Sequence, residues 1–263
     1  MNKVVLITGE SRGFGLEIAK LFLKDKNIVC GISRNDFAYD GIYHQVGDVT
    51  NINDCKRCVD NIIEKYGRID ILVNNAGFGI FSPVEEISID DAKKQFEVSF
   101  FAAFYLAKLV IPYMRNCKKG LIVNISSIAS LIPLPFQAFY SASKASLDML
   151  FSALRVELYP YNIKITSVLP GDSKTGFTSN RKTTISERSI YFERVERGLK
   201  TVSKDEENGF DPKKVAKKVF VLSKKKNPPY RVLVGGKDKL LRCLYVVLPK
   251  RLRNYLLYKI YAK

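Results

Sequence analysis

The chain has one histidine, His44, and no set of cysteine, histidine and carboxylate at ligand spacing, so a zinc site of the ordinary kind is not expected. Cys55 and Cys58 do form a C-x-x-C. They fall among Ile52, Val59, Ile62 and Ile63 at helical spacing and read as one face of a helix. Long hydrophobic runs are also missing. The richest stretch, 98–114, is broken by Lys108 and Pro112, short of the roughly 20 apolar residues that a bilayer span requires. The N-terminal apolar run, Val4-Val5-Leu6-Ile7, is too short for a signal peptide before Glu10 and Arg12 arrive, so secretion is not expected. Five cysteines, an odd number, then read as reduced thiols of a cytoplasmic protein. No Pro/Gly/Ser-rich linker, internal repeat or low-complexity tract interrupts the 263 residues, which at 46% hydrophobic are rich enough for one large core.

What the chain has in excess is positive charge. It carries 43 basic and 26 acidic residues, a formal +17 that attracts phosphorylated cofactors, acidic proteins, lipid headgroups or nucleic acid. No nucleic-acid recognition motif accompanies it, and that partner is not expected. Short apolar runs rich in β-branched residues at 4–7 and 28–32 enclose Phe14, Ile18, Leu21 and Phe22 at helical spacing. The alternation continues with a helix over about 52–66, a strand at 69–73, a long helix from about 88, a strand at 121–125, a helix around 139–159 and a strand at 163–169. This pattern predicts an α/β fold: a single-domain, Rossmann-type, doubly wound parallel sheet with helices on both faces. Ser88 with Asp91, and Asp211 before Pro212, mark helix starts. Residues 172–210 are polar and basic with no clear period, and read as a substrate loop, either a lid or disordered.

The first strand runs into Thr8-Gly9-Glu10-Ser11-Arg12-Gly13-Phe14-Gly15 and then into a helix. Glycines there allow a tight turn and close approach of a pyrophosphate to the helix N-terminus. The spacing is G-x-x-x-G-x-G rather than the common G-x-G-x-x-G. With Asn74-Asn75-Ala76-Gly77 and Tyr140-Ser141-Ala142-Ser143-Lys144, the chain resembles the classical short-chain dehydrogenase/reductase family over about 3–236. The resemblance implies that Gly9, Ser11, Arg12, Gly13, Phe14 and Gly15 hold the cofactor phosphates. It further implies that Asp48 and Val49 contact adenine, that Asn75, Ala76 and Gly77 line a ribose, and that Pro170, Gly171 and Thr175 meet the nicotinamide.

The second strand ends Ser33-Arg34-Asn35, with no acid at its tip to read a ribose 2′-hydroxyl. Arg34 and Arg12 suit a 2′-phosphate instead, so NADP is expected. Asp36 lies close enough to leave NAD open. Tyr140 and Lys144, four apart, project from one helix face, where an ammonium would favour the phenolate and make the tyrosine a usable acid and base. Family resemblance adds Ser127, at the end of the fifth strand, as the hydroxyl that holds the substrate oxygen; Ser126 would point the other way. Ser99 stands where the family has an asparagine thought to bend the helix and hold a water that relays protons to the lysine. The shorter serine predicts either a second water in the gap or a slower relay.

Phe78, Phe81, Leu131 and Phe136, with Ser127, are the candidate substrate contacts, part of an apolar set suited to a lipophilic substrate or simply to the core. Beyond the 1–236 domain, the tail 237–263 carries eight basic residues against one acid, with leucines and tyrosines recurring on both sides of Pro249. This predicts two short amphipathic helices hinged there, able to lie in a membrane interface or to pack on the body or another subunit. Overall the chain is similar to the 17β-hydroxysteroid and retinol dehydrogenase-like branch. That resemblance implies an NADP-dependent oxidoreductase acting on a lipophilic alcohol or ketone, working as a homo-oligomer joined through the fourth and fifth helices. A 3-oxoacyl carrier-protein reductase is the alternative enzyme, and an NADP-binding membrane-associated or regulatory protein with little catalysis is the alternative class.

Overall fold

A computed structural model describes residues 2–175 and 181–263, with the side chains of 237 and 238 outside the described set. Strand β1 (Val4–Thr8) shows how the sequence builds the layers. Val4 and Leu6 point into one core and Val5 and Ile7 into the other, the period-two alternation of a strand buried on both faces. The same split recurs in β4 (Ile71–Asn74) and β6 (Gly120–Ile125), where Leu72 and Ile122 share the face of Leu6. With β2 (Ile28–Ser33), β3 (Ile42–Val46), β7 (Ile163–Pro170) and β9 (Arg231–Val234), these form a parallel seven-stranded sheet. Its order is β3-β2-β1-β4-β6-β7-β9, and every pairing is parallel.

Helices α2 (Ile52–Tyr66), α4 (Ala102–Asn116) and α5 (Ala138–Glu157) bury their apolar stripes on one side of the sheet. Helix α1 (Gly13–Lys24) and α7 (Lys213–Ser223) cover the other with Ile18, Phe22, Val215 and Val219. Cys55 and Cys58 lie on the buried face of α2, as helix-face residues. Asn51 caps that helix by accepting from the N–H of Asn53 and Asp54, and Gly67 closes it at φ +74. Ser88 caps α3 (Ile89–Phe96) in the same way through the Asp91 N–H.

Three features depart from the sequence expectation. The rod from Ile89 to Asn116 is continuous over 28 residues and is apolar and long enough, by length and composition, to span a bilayer. Here α3 and α4 are joined through the π-helical turn Glu97–Phe101, and Leu106, Ala107, Val110 and Met114 are packed into the core. The segment 172–210 contains a strand, β8 (Lys182–Thr183), paired with β5 (Ile80–Phe81), and a helix, α6 (Phe192–Glu207). Val195, Leu199 and Val202 supply the helical stripe; dense charge around them hides it in the sequence. Strand β3 was not foreseen because it is an edge strand with only half-buried side chains.

The tail forms α8 (Gly236–Val247) and α9 (Lys250–Leu257), separated by Pro249, followed by a π turn at Tyr258–Ala262. Its inner face is docked on the body. Tyr245 and Leu257 pack on Ile128, Ile132, Leu169 and Leu233, and Arg194 Nε donates to the Ala262 carbonyl at 2.7 Å.

Candidate active site

The strand order reverses direction between β1 and β4, and the loops after these two strands meet there. Thr8 Oγ1 accepts from the N–H of Asn75 at 2.9 Å and of Ala76 at 2.8 Å, while Asn75 Nδ2 donates to the carbonyls of Thr8 and Gly9. Asn75 therefore splices the two loops together. Gly9 and Gly13 adopt φ of +65 and +55, and a Cβ on Gly15 would lie 2.2 Å from the Gly9 carbonyl oxygen. Arg12, the N-cap residue of α1, makes no side-chain cap to the first turn, which suits a helix N-terminus that meets an anion. These features fit the pyrophosphate of a dinucleotide.

Beneath this loop lies an arrangement the sequence reading missed. The Glu10 side chain passes over Gly31, where a Cβ would sit 2.1 Å from its carboxyl carbon, and its Oε1 is 2.5 Å from His44 Nδ1. Burial pushes the Glu10 carboxyl up from its ordinary value, and the His44 hydrogen bond works against that rise. The chain's one histidine thus supports the floor of the glycine loop. Glu10 in the loop, with Gly31 and His44 on neighbouring strands, is the signal from which it could have been found.

Arg12 and Arg34 are both exposed, Arg34 just beyond the end of β2. Asp36, the nearest acid, accepts from the N–H of Phe37 at 2.9 Å. Asp48 accepts from the N–H and Oγ1 of Thr50, which fixes the turn after β3, and Val49 is buried in the core.

The reacting groups converge at the C-terminal ends of β6 and β7. Ser127 caps the short helical turn Ile128–Ser130, its Oγ accepting from the Ala129 N–H at 3.1 Å, and it is hydrogen-bonded to the Tyr140 hydroxyl. Burial pushes the Tyr140 phenol up to about 12, with the Ser127 hydrogen bond and the Arg181 charge opposing. Lys144, one turn along α5, donates to the Ile125 carbonyl at 2.9 Å, and burial pulls its ammonium down to about 8. Burial is the largest influence on both groups. Tyr140 holds its proton at neutral pH.

Ser99 sits in the π-helical turn, where Gln95 Nε2 donates to its Oγ at 2.8 Å and to the Phe78 carbonyl at 3.0 Å. Between Ser99 and Lys144 is a cavity of about 10 Å³, the size of one water, also lined by Thr8 and Asn74. Asn74 Oδ1 is buried with no hydrogen-bond partner among the described residues. The cavity is polar enough for a bridging water.

A cleft of about 680 Å³, its open mouth included, runs past Tyr140 and Ser127. Phe14, Pro170, Gly171 and Thr175 are among the residues that line it. Of the proposed substrate contacts, Ser127 lines this cleft. Phe81 does not, being wholly buried against Phe136, Val195, Val202 and Ala262, and Phe136 faces the same cluster at a ring separation of 5.7 Å. Leu131 packs under the tail, and Phe78 is half-buried beside α3. The cleft is walled instead by Leu134, Gln137, Val202, Asp205, Glu206 and Tyr261. Tyr261 comes from the far end of the chain, which no local sequence signal could have brought here.

The geometry is matched by the comparisons with known proteins. The family model of the short chain dehydrogenases matches residues 3–186. The chain is a short-chain dehydrogenase. It is 39% identical over 236 residues to a 3-ketodihydrosphingosine reductase of Bacteroides thetaiotaomicron, covering 89% of this chain and 88% of that protein. Among solved structures it is similar to a short-chain dehydrogenase from Streptomyces avermitilis, at TM-score 0.84 and 28% identity, covering 97% and 94% of the two chains. It is also similar to ElxO with NADP bound, at TM-score 0.76 and 26% identity, covering 91% of this chain and all of that one. The short-chain dehydrogenase is therefore an oxidoreductase acting on alcohol or ketone groups, in a family that uses nicotinamide cofactors.

Proposed function

We propose that this short-chain dehydrogenase reduces apolar ketones with NADPH, Tyr140 delivering the proton. The observation that carries the reading is the placement of the Tyr140 hydroxyl, hydrogen-bonded to Ser127 and facing the cleft. A hydroxyl so placed can give its proton to a carbonyl oxygen that Ser127 holds. NADPH supplies the hydride to the carbonyl carbon when bound. Ser127 Oγ holds the carbonyl oxygen against the tyrosine, and Tyr140 protonates that oxygen as charge develops on it. Lys144, with an ammonium brought near neutrality, and the water-sized cavity beside Ser99 offer a route by which the proton on Tyr140 is replaced.

NADP is favoured over NAD because the exposed cation Arg34 stands just beyond the end of β2, with the acid Asp36 two residues further on. The loop Gly9 to Gly15 holds the pyrophosphate, and Asn75, Ala76 and Gly77 form the wall opposite. Asp48 and Val49 flank the adenine, and Pro170, Gly171 and Thr175 border the nicotinamide. The 3-ketodihydrosphingosine reductase relative supports a long-chain lipophilic ketone as substrate. Phe104 on α4, with Met149 and Val156 on α5, is exposed and supplies a face for homo-oligomer formation. A lipophilic substrate is met where lipids are, so the enzyme is read as cytoplasmic and peripheral at a membrane surface.

The test is the pH dependence of kcat/KM in both directions. Reduction needs the protonated phenol and a proton supply through Lys144 that fades as its ammonium titrates near 8, so its rate should hold at pH 6 to 7 and decline above 8; oxidation needs the phenolate and should climb with pH over the same range. A reductive rate that climbs from pH 6 to 9 would refute Tyr140 as the proton donor.

A further inference from the structure

The tail has two apolar faces, and the body occupies only one. Tyr245 and Leu257 point inward onto the core. Away from that contact Leu240, Leu244, Val246, Val247, Leu252 and Tyr255 are exposed, Leu240 at 63%, Val246 at 68% and Val247 at 75%. Exposed large aliphatics in such number along two consecutive helices require an occupant. Lys239, Arg242, Lys250, Arg251 and Lys259 are exposed in the same two helices and the turn that follows, and no acidic residue follows Asp238.

We propose that the outer face of α8 and α9 is a docking surface for an anionic lipid bilayer, the aliphatic side chains entering the acyl boundary while the basic ones meet headgroup phosphates. This deepens the peripheral placement read above and rests on it. A strip of aliphatic side chains bordered by cations is the composition of an interfacial helix. A second copy of this chain fits poorly, because a two-fold contact through the tail would bring one basic surface against another. Nucleic acid would satisfy the cations and leave the aliphatic strip in water.

The tail is also joined to the reacting centre. Its last turn seats the Tyr261 backbone on Gly198 of α6, where a Cβ would lie 2.6 Å from the Tyr261 carbonyl oxygen, and Tyr261 lines the cleft beside Tyr140. Docking therefore sets the cleft wall next to the lipid phase, where a lipophilic ketone resides.

The experiment is co-sedimentation of the full chain with vesicles of phosphatidylcholine alone and of phosphatidylcholine with phosphatidylglycerol. It is paired with turnover of a short water-soluble ketone and with light scattering. The wild type should sediment with the anionic vesicles and much less with the neutral ones. Val246→Asp with Val247→Asp should weaken that binding at least tenfold, with soluble-ketone turnover unchanged. The charge-reversed pair Lys250→Glu and Arg251→Glu should do the same and serves if the first variant loses turnover through misfolding. Absence of binding to anionic vesicles, or equal binding by folded variants, would overturn the proposal. So would a variant that changes only the oligomeric state, since a second copy would then cover the face. Vesicle binding without turnover of any ketone would instead strike the proposed reaction and leave the docking surface standing.

Discussion

Replacing Lys144 with Met should stabilise the cofactor-free protein while abolishing turnover. The ammonium is buried and its pKa falls from 10.5 to about 8, so the folded state disfavours the charged form by about 3 kcal/mol at neutral pH. Met fills a similar volume without charge. Against this gain stands the hydrogen bond to the Ile125 carbonyl, whose loss costs about 1 to 2 kcal/mol in a buried setting. The expected net is a variant about 1 to 2 kcal/mol more stable at pH 7. The pH dependence is the sharper readout. The folded pKa lies below the unfolded one, so between these values the unfolded state binds the extra proton and wild-type stability rises with pH. The penalty therefore shrinks to about 1 kcal/mol by pH 10, and the variant's advantage disappears. Urea unfolding of both proteins without cofactor at pH 7, 8.5 and 10 measures this, because every other titrating group cancels in the comparison. A variant clearly less stable at pH 7, or a gap that does not close with pH, would refute the claim that Lys144 is held against its preference for water.

Tyr140→Phe should reduce turnover at least a thousandfold with cofactor affinity, read by fluorescence titration, within about threefold of wild type, since it removes the acid and little packing. Arg34→Asp should weaken NADPH binding about tenfold or more and NADH much less, the loss of one charge-assisted contact to a 2′-phosphate; an unchanged ratio in equilibrium titration would remove the argument for NADP. Gly198→Ala places a methyl within 2.6 Å of the Tyr261 carbonyl oxygen. It should lift the tail end from α6, which limited proteolysis of the last turn and a raised KM for bulky ketones would report.

Most of the sheet was legible because its central strands are short β-branched runs and the helices beside them carry clear stripes, as in β1 and α2; the edge strand β3 was not. The glycine loop, Tyr140 and Lys144 stand out as candidates because each falls within a local motif, and Ser127 because of the family resemblance; the fold brings Ser127 and Tyr140 into hydrogen bond. What stayed hidden depends on contacts between distant segments. Helix α6 was masked by charge around a three-residue stripe. Phe81 and Phe136 read as cleft residues until the fold placed α6 and the tail over them. The Glu10–His44 pair needs the register of β2 and β3, and Tyr261 needs the whole tail to wrap back. The motif spacing also carries no information on burial, which pushes the Tyr140 phenol up.

The central claim is tested most directly by initial-rate measurement of NADPH and NADH oxidation across ketones from short diketones to long-chain 3-ketones. The account predicts turnover with NADPH that improves with apolar chain length and a marked preference for NADPH over NADH at equal concentration. Tight NADPH binding with no turnover on any ketone would contradict it.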